Sequence, residues 1–192
     1  MTPDPYAYLA PLVVSENAFT PTELDAVIAH GESLKPAPAT ISYGDGHVGN
    51  DPMRISHTAW MPRDPANAWI YDRMERTARL LNHQVYRFEL SGFSDQFQYS
   101  VYHGHEGGHF GWHIDQIRGP AHRKLSFSLQ LSGPEEYEGG ELTIHSAGAP
   151  VIAPKTRGVL VAFPSYALHR VAPVTAGTRR ALVFWCAGPP FR

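Results

Sequence analysis

From Tyr86 onward the chain is written as short runs rich in apolar residues, cut at near-regular intervals by turn residues. Strands are predicted over 86–89, 96–103, 109–114, 124–131, 141–145, 158–163, 168–171 and 179–185. Between them stand Ser91-Gly92, the stretch from Gly104 to Gly108, Gly119-Pro120, Gly133-Pro134, Gly139-Gly140, Pro164-Ser165 and Gly177, which favour turns over continued strand. No helical period separates these runs. Strands without intervening helices pair antiparallel and stack face to face, so the pattern predicts a jelly roll or a sandwich.

The first half supplies helices. Thr20-Pro21-Thr22-Glu23 is a capping box with proline at the first helical position, and Leu24, Val27, Ile28 and Leu34 follow at helical spacing, so 14–34 opens with a helix. A second helix is predicted from Asp64-Pro65 to about His83, with Trp69, Ile70, Met74, Ala78 and Leu81 on its apolar stripe. Between the two, 35–52 is rich in Pro, Gly, Ser and Asn and reads as an exposed loop or a lid, while 54–61 alternates like a strand. The apolar stripes need a sheet to cover. That makes 1–192 one α+β domain, with 1–85 as helical support and lid loop and 86–188 as the jelly-roll core.

Composition narrows the class. Hydrophobic residues make up 43% and charged residues 18%, the balance of an ordinary soluble globule. A net charge of −2 offers no polybasic field for a nucleic-acid backbone. The single cysteine, Cys186, forbids an intramolecular disulfide and a Cys-rich zinc site, and suits a reducing compartment. Residues 1–14 are broken by prolines and lack a basic segment ahead of an apolar one, and no apolar run reaches the ~20 residues of a membrane span. A cytoplasmic address, away from membranes, is expected.

Histidine is the unusual residue: there are 11, four of them (His103, His105, His109, His113) in one Gly-rich segment. His113 and Asp115 are two apart, so on a strand both side chains leave on the same face. They would form two-thirds of a facial triad, the two-histidine, one-carboxylate set that non-heme iron(II) oxygenases use. With 11 His and eight Asp, chance alone gives roughly half such a pair per chain of this make-up, so a third ligand is required. Of His122, His145 and His169 downstream, His169 stands just after a turn at the start of an apolar strand. Ten residues on, beyond a tight connection, is Arg179. The two-residue period lets only one of Arg179 and Arg180 face inward, and Arg179 is read as that one. A buried arginine needs an anion. 2-Oxoglutarate fits, because it chelates iron through its 1-carboxylate and 2-keto oxygen and offers a distal carboxylate to a guanidinium fork.

On these residues the chain resembles the iron(II)/2-oxoglutarate-dependent dioxygenases, specifically the prolyl-hydroxylase-like branch with its bacterial and phage relatives. The likeness runs from about Phe19 to Trp185 and takes in Arg54-Ile55-Ser56 with Trp60, Tyr102, Gly139-Gly140-Glu141-Leu142, Phe163-Pro164-Ser165, His169-x-Val171 and Pro173-Val174. It implies a double-stranded β-helix with the N-terminal helices packed on one sheet. It further implies Fe(II) held by His113, Asp115 and His169, and the distal carboxylate of 2-oxoglutarate on Arg179. Tyr102 would donate to that co-substrate, and Leu142, Val171 and Trp185 would line its pocket. Gln130 stands where one subgroup has a tyrosine, on the polar strand face of Ser126 and Ser128, and is read as its replacement. Arg54 and His57 would frame the substrate entrance. The implied reaction uses O2, with ascorbate as a stimulant, to hydroxylate an unactivated C–H of a prolyl or other amino-acid side chain, in a peptide, a protein or a small molecule. Succinate and CO2 are released.

Two rivals are weighed. Nucleic-acid demethylases of the same superfamily carry a second arginine six residues after the first, where this chain has Trp185, so no nucleic-acid partner is expected. A non-catalytic metal-binding jelly roll could instead use His103, His105 and His109, though their spacing has no helical meaning in a loop. The oligomeric state is left open.

Overall fold

The computed structural model describes residues 10–42, 48–49, 51–115, 122–145 and 148–191. In chain order its first elements are β1 (Val13–Ser15), α1 (Pro21–Ser33), β2 (Ala37–Pro38), β3 (Ile41–Ser42), β4 (Val48–Gly49), β5 (Arg54–Ile55), β6 (His57–Met61) and α2 (Ala68–Leu81). There follow β7 (Gly92–Phe93), β8 (Phe97–His103), β9 (His109–His113), β10 (His122–Gln130), β11 (Tyr137–Gly139) and β12 (Leu142–His145). The last are β13 (Val151–Ile152), β14 (Leu160–Pro164), β15 (Leu168–Val171) and β16 (Val174–Gly188).

Two antiparallel sheets carry the fold. The larger has the order β1-β14-β10-β16-β8-β6-β2, with β7 and β11 also paired to β16; the smaller runs β13-β12-β15-β9-β5. Alternation along β10 explains the layering. Leu125, Phe127 and Leu129 join Phe97, Tyr99, Leu182 and Phe184 in a core that α1 and α2 cover with Leu24, Val27, Ile70, Met74 and Ala78. The Phe127 and Phe184 rings stack at 4.6 Å. Ser126, Ser128 and Gln130 take the opposite face. A second core, with Tyr102, Leu142, Ile144, Val161, Phe163 and Val171, fills the space toward the smaller sheet. Helices on one face of the larger sheet and a second sheet on the other make this a double-stranded β-helix. Each fully buried Leu or Phe contributes roughly 1.5–3 kcal/mol.

The capping box forms as written: Thr20 Oγ1 accepts from Glu23 N at 3.3 Å, and Glu23 Oε2 accepts from Thr20 N at 2.8 Å. Elsewhere local chemistry overrides the pattern. Val13–Ser15 is not the lead-in to the helix but an edge strand against Leu160–Ala162. The second helix begins at Ala68, later than Asp64, because Asp64 Oδ1 accepts from Ala66 N and Asn67 N and holds a turn there. No strand forms over 86–89. The second helix runs into a π-turn, Asn82–Tyr86, and the Asn82 amide then spans Phe88 N and O at 2.9 and 2.8 Å. Arg87 takes φ 55° in the same turn.

The stretch 54–61 divides at Ser56, β5 pairing with β9 in one sheet and β6 with β8 in the other. Within 35–52, β2 pairs with β6 and β3 with β4, so this stretch is not a plain loop. Residues 43–47 and 50, on which part of the lid reading falls, lie outside the described residues. Among the described residues no helix is long and apolar enough to cross a membrane.

Candidate active site

The site is assembled by register. Strands β9 and β15 are antiparallel neighbours, and His113 and His169 are direct partners across them, with ring centroids 4.1 Å apart. Asp115 leaves the end of β9 on the same side, its backbone N–H bonded to Ser165 O at 2.9 Å. Asp115 Oδ1 lies 3.7 Å from His113 Nε2, and Oδ2 lies 3.3 Å from His169 Nε2. One ligand atom from each residue falls within 4.8 Å of the others, and among the described residues no other group of His, Cys, Asp and Glu gathers this way.

Each imidazole is oriented by its other nitrogen. His113 Nδ1 bonds Gly111 O at 2.8 Å and His169 Nδ1 bonds Ala167 O at 2.9 Å, which places the proton on Nδ1 and leaves Nε2 facing the carboxylate. Ser126 Oγ donates to Asp115 Oδ2 at 2.7 Å and is linked to Ser165 Oγ at 2.9 Å. Burial works against the charge on Asp115, but the His169 imidazole, together with His113, holds its carboxyl well below the usual carboxylate range. Burial and the neighbouring His169 push His113 down to about 4. His169 is also opposed by burial, yet Asp115 beside it raises it above an ordinary histidine. Two imidazole nitrogens and one carboxylate on a single face leave the other positions of a metal open, the donor set suited to non-heme Fe(II).

The triad opens into a cavity of about 360 Å³. Arg179, on β16 and only 2% exposed, lines it as well. Its Nη2 donates to Gln130 Oε1 at 2.9 Å, its guanidinium lies 5.3 Å over the Tyr102 ring, and its Nε has no partner. Among the described residues no carboxylate forms an ion pair with it, whereas Arg180 turns outward to Glu32 Oε1 at 3.0 Å. A guanidinium taken out of water with only neutral groups to meet it, the Gln130 amide and the Tyr137 hydroxyl, is costly, and a small dianion entering the cavity would relieve that cost.

Tyr102, Leu142, Val171, Trp185 and Arg54 all line the cavity. Gln130 does not; it stands behind Arg179, anchored through Nε2 to Ser128 Oγ at 3.0 Å. His57 sits in an adjoining depression, with its Nδ1 3.5 Å from Glu106 Oε2. His109 is engaged by Gly107 O and Pro52 O, and His103 by Thr178 Oγ1, so the loop histidines do not gather as ligands. Three features escape sequence reasoning. The serine pair beneath Asp115 crosses between strands distant in sequence. Phe110 stacks on His113 with centroids 3.5 Å apart. Arg123 lies 3.9 Å over Trp185 while paired with Asp95. The alternation of β10 points Ser126 inward, but nothing in the sequence names its partner.

The family model of the 2OG-Fe(II) oxygenase superfamily matches residues 97–187, the span holding the triad and Arg179. A PKHD-type hydroxylase of Shewanella sp. (strain ANA-3) is 38% identical over 114 residues, 56% of this chain and 50% of that protein. The chain thus spans about half the length of that relative. A PKHD-type hydroxylase of Pseudomonas putida is 32% identical over 161 residues, 74% of this chain and 66% of that protein. In fold, a prolyl-4-hydroxylase of Pseudomonas putida superposes with a TM-score of 0.73 at 20% identity, covering 94% of each chain. A Trichoplax adhaerens prolyl hydroxylase, solved with a hypoxia inducible factor peptide fragment, superposes with a TM-score of 0.76 at 17% identity, covering 92% of this chain and 83% of that one. Residues 97–187 are thus a 2OG-Fe(II) oxygenase superfamily region, related in sequence to PKHD-type hydroxylases, and the double-stranded β-helix that carries them is the fold of the prolyl hydroxylases it superposes on.

Proposed function

We propose that the protein is an Fe(II)- and 2-oxoglutarate-dependent dioxygenase that hydroxylates an unactivated C–H and releases succinate and CO2. The observation that carries this reading is Arg179: a buried guanidinium with an unpartnered Nε, facing the same cavity as the triad. His113, Asp115 and His169 are its metal ligands and Arg179 the seat of the distal carboxylate. When bound, the metal and co-substrate together supply oxidising power from O2 that no side chain can.

The chain's own share is positioning. The two Nδ1 bonds fix the imidazole planes, and the Ser126 hydroxyl fixes the Asp115 carboxylate. Gln130 holds one arm of the Arg179 fork while the Tyr102 ring supports it. Phe110, Leu142, Phe163, Val171 and Trp185 form an apolar wall that keeps water from the reacting atoms. Tyr102, Leu142, Val171 and Trp185 are assigned to the co-substrate, and Arg54, with His57 beside the entrance, to the substrate. The target assigned is a prolyl or other amino-acid side chain, free or within a peptide; two structural relatives are named prolyl hydroxylases, one of them solved with a peptide fragment, which supports a prolyl residue. The unpaired, buried Cys186 agrees with a reducing, cytoplasmic setting.

The test is succinate formation from 2-oxoglutarate with Fe(II), ascorbate and O2. Wild-type protein is expected to form succinate, with the rate falling at least about a hundredfold in His113→Ala and Arg179→Ala. Tight zinc binding without any 2-oxoglutarate turnover would favour a non-catalytic metal protein instead.

A further inference from the structure

Three guanidinium groups and one carboxylate line the cavity: Arg54, Arg123, Arg179 and Asp115. Their charges are not equally answered. Arg123 donates through Nε and Nη2 to Asp95 Oδ2 at 3.1 and 2.9 Å, so that cation is closed. In the oxygenase reading above, on which this inference rests, a divalent metal, Asp115, a keto-diacid and Arg179 together carry no net charge. Arg54 is left over. Its Nε donates to Ser56 Oγ and its Nη2 to Gln98 Oε1, both at 2.9 Å and both neutral acceptors. Among the described residues no carboxylate pairs with it. Glu106, in the adjoining depression, faces His57, and Asp51 Oδ1 accepts from Met53 N.

The position of Arg54 is as informative as its charge. Its guanidinium rests 4.7 Å over the Phe110 ring, and that ring stacks on His113. The cation therefore stands one aromatic ring away from a metal-ligand position. Two neutral acceptors and a ring fix its plane, and among the described residues Nη1 has no hydrogen-bond acceptor. A fork held this way is pre-organised for an incoming carboxylate. A neutral amide would leave the charge uncompensated inside a partly dry cavity.

We propose that the substrate of this site bears a carboxylate and that Arg54 receives it, placing the C–H to be attacked beside the metal. A free amino or imino acid and the C-terminus of a short peptide present the same chemistry. Equilibrium binding to Mn(II)-loaded protein at saturating 2-oxoglutarate, without turnover, reads the difference. The probes are L-proline, L-leucine, L-lysine and Gly-Pro-Gly, each measured beside its primary amide. At least one acid is expected to bind about tenfold or more tightly than its amide. Arg54→Gln should bring that ratio to about one, and Arg54→Lys should keep part of it. A preference confined to free amino acids marks a small-molecule substrate, and one confined to the tripeptide marks a peptide terminus.

Equal binding of acids and amides by the wild type overturns the proposal, as does binding of no probe at all. A preference that survives in Arg54→Gln, or acid binding that vanishes as 2-oxoglutarate saturates, assigns the carboxylate elsewhere and overturns it too. The wild-type ratio decides even if a variant fails to fold. Protein that binds neither Mn(II) nor 2-oxoglutarate removes the oxygenase reading itself, an outcome distinct from the others.

Discussion

At the scale of single residues, the candidate centre depends on hydrogen bonds one step behind the ligands. Ser126 Oγ spends its proton on Asp115 Oδ2 at 2.7 Å. Removing that hydroxyl frees the carboxylate to rotate and leaves a buried oxygen with one fewer donor. Ser126→Ala is therefore expected to weaken Mn(II) or Fe(II) binding about 10- to 100-fold while the far-ultraviolet circular dichroism stays unchanged. A metal titration at neutral pH checks it, and an unaltered dissociation constant would show that the Ser126 bond does not hold the Asp115 carboxylate in place for the metal. Residue scale is also where the sequence was most readable. The two-residue period separates Arg179, buried in the cavity, from Arg180, which reaches Glu32 on α1. Ser126 was legible as an inward-facing side chain but not as a partner of Asp115, because their contact spans two strands that share no local signal.

At the scale of elements, α1 and α2 are tied to each other as well as to the sheet. Glu23, in the capping box of α1, accepts from Arg73 Nη2 on α2 at 2.8 Å. The Arg73 guanidinium first, and the Thr20 backbone N–H next, hold the Glu23 carboxyl down at about 2 against an ordinary 4.5. A carboxyl depressed by folding adds stability that is complete above its unfolded value and fades as pH falls through the folded one. Glu23→Gln should thus lower the denaturant midpoint at pH 6–7, and the gap to wild type should close as pH falls from about 4.5 toward 2. A gap of constant size across that range would mean that the charge contributes nothing.

Elements also show where local reading fails. Gly177 looks like a breaker, yet β16 runs through it from Val174 to Gly188. At φ 70°, with Glu136 O occupying the space a Cβ would need, glycine here lets β11 and β16 approach and continue their pairing across a bulge. Its conformational freedom was legible; its use inside a strand was not. The strand expected over 86–89 fails for the converse reason, since one Asn82 amide captures the backbone that a partner strand would have needed.

At the scale of the whole molecule, the site couples the two sheets. The smaller sheet supplies His113 and His169, the larger supplies Arg179 and Ser126, and Asp115 follows β9. Metal and co-substrate would bind only the folded chain, so each stabilises it by mass action. At about 100 times their dissociation constants, Mn(II) with 2-oxoglutarate should add roughly 2.7 kcal/mol or more, a rise in Tm of several degrees for a domain of this size. His169→Ala should abolish the rise. A Tm indifferent to both ligands in the wild type would separate the triad from metal binding altogether.

The sequence alone determined the period-two grammar, the capping box, the inward arginine and the spacing that makes His113 and Asp115 share a face. All of these follow from backbone geometry over a few residues, which acts wherever the chain goes. Only the tertiary structure decided that His169 lies opposite His113, that Ser126 reaches Asp115, that Gln130 braces Arg179 and that Arg54 meets no carboxylate among the described residues. Those contacts join strands far apart in the chain. Their register is set by burying two cores at once, a condition that no local stretch of residues contains.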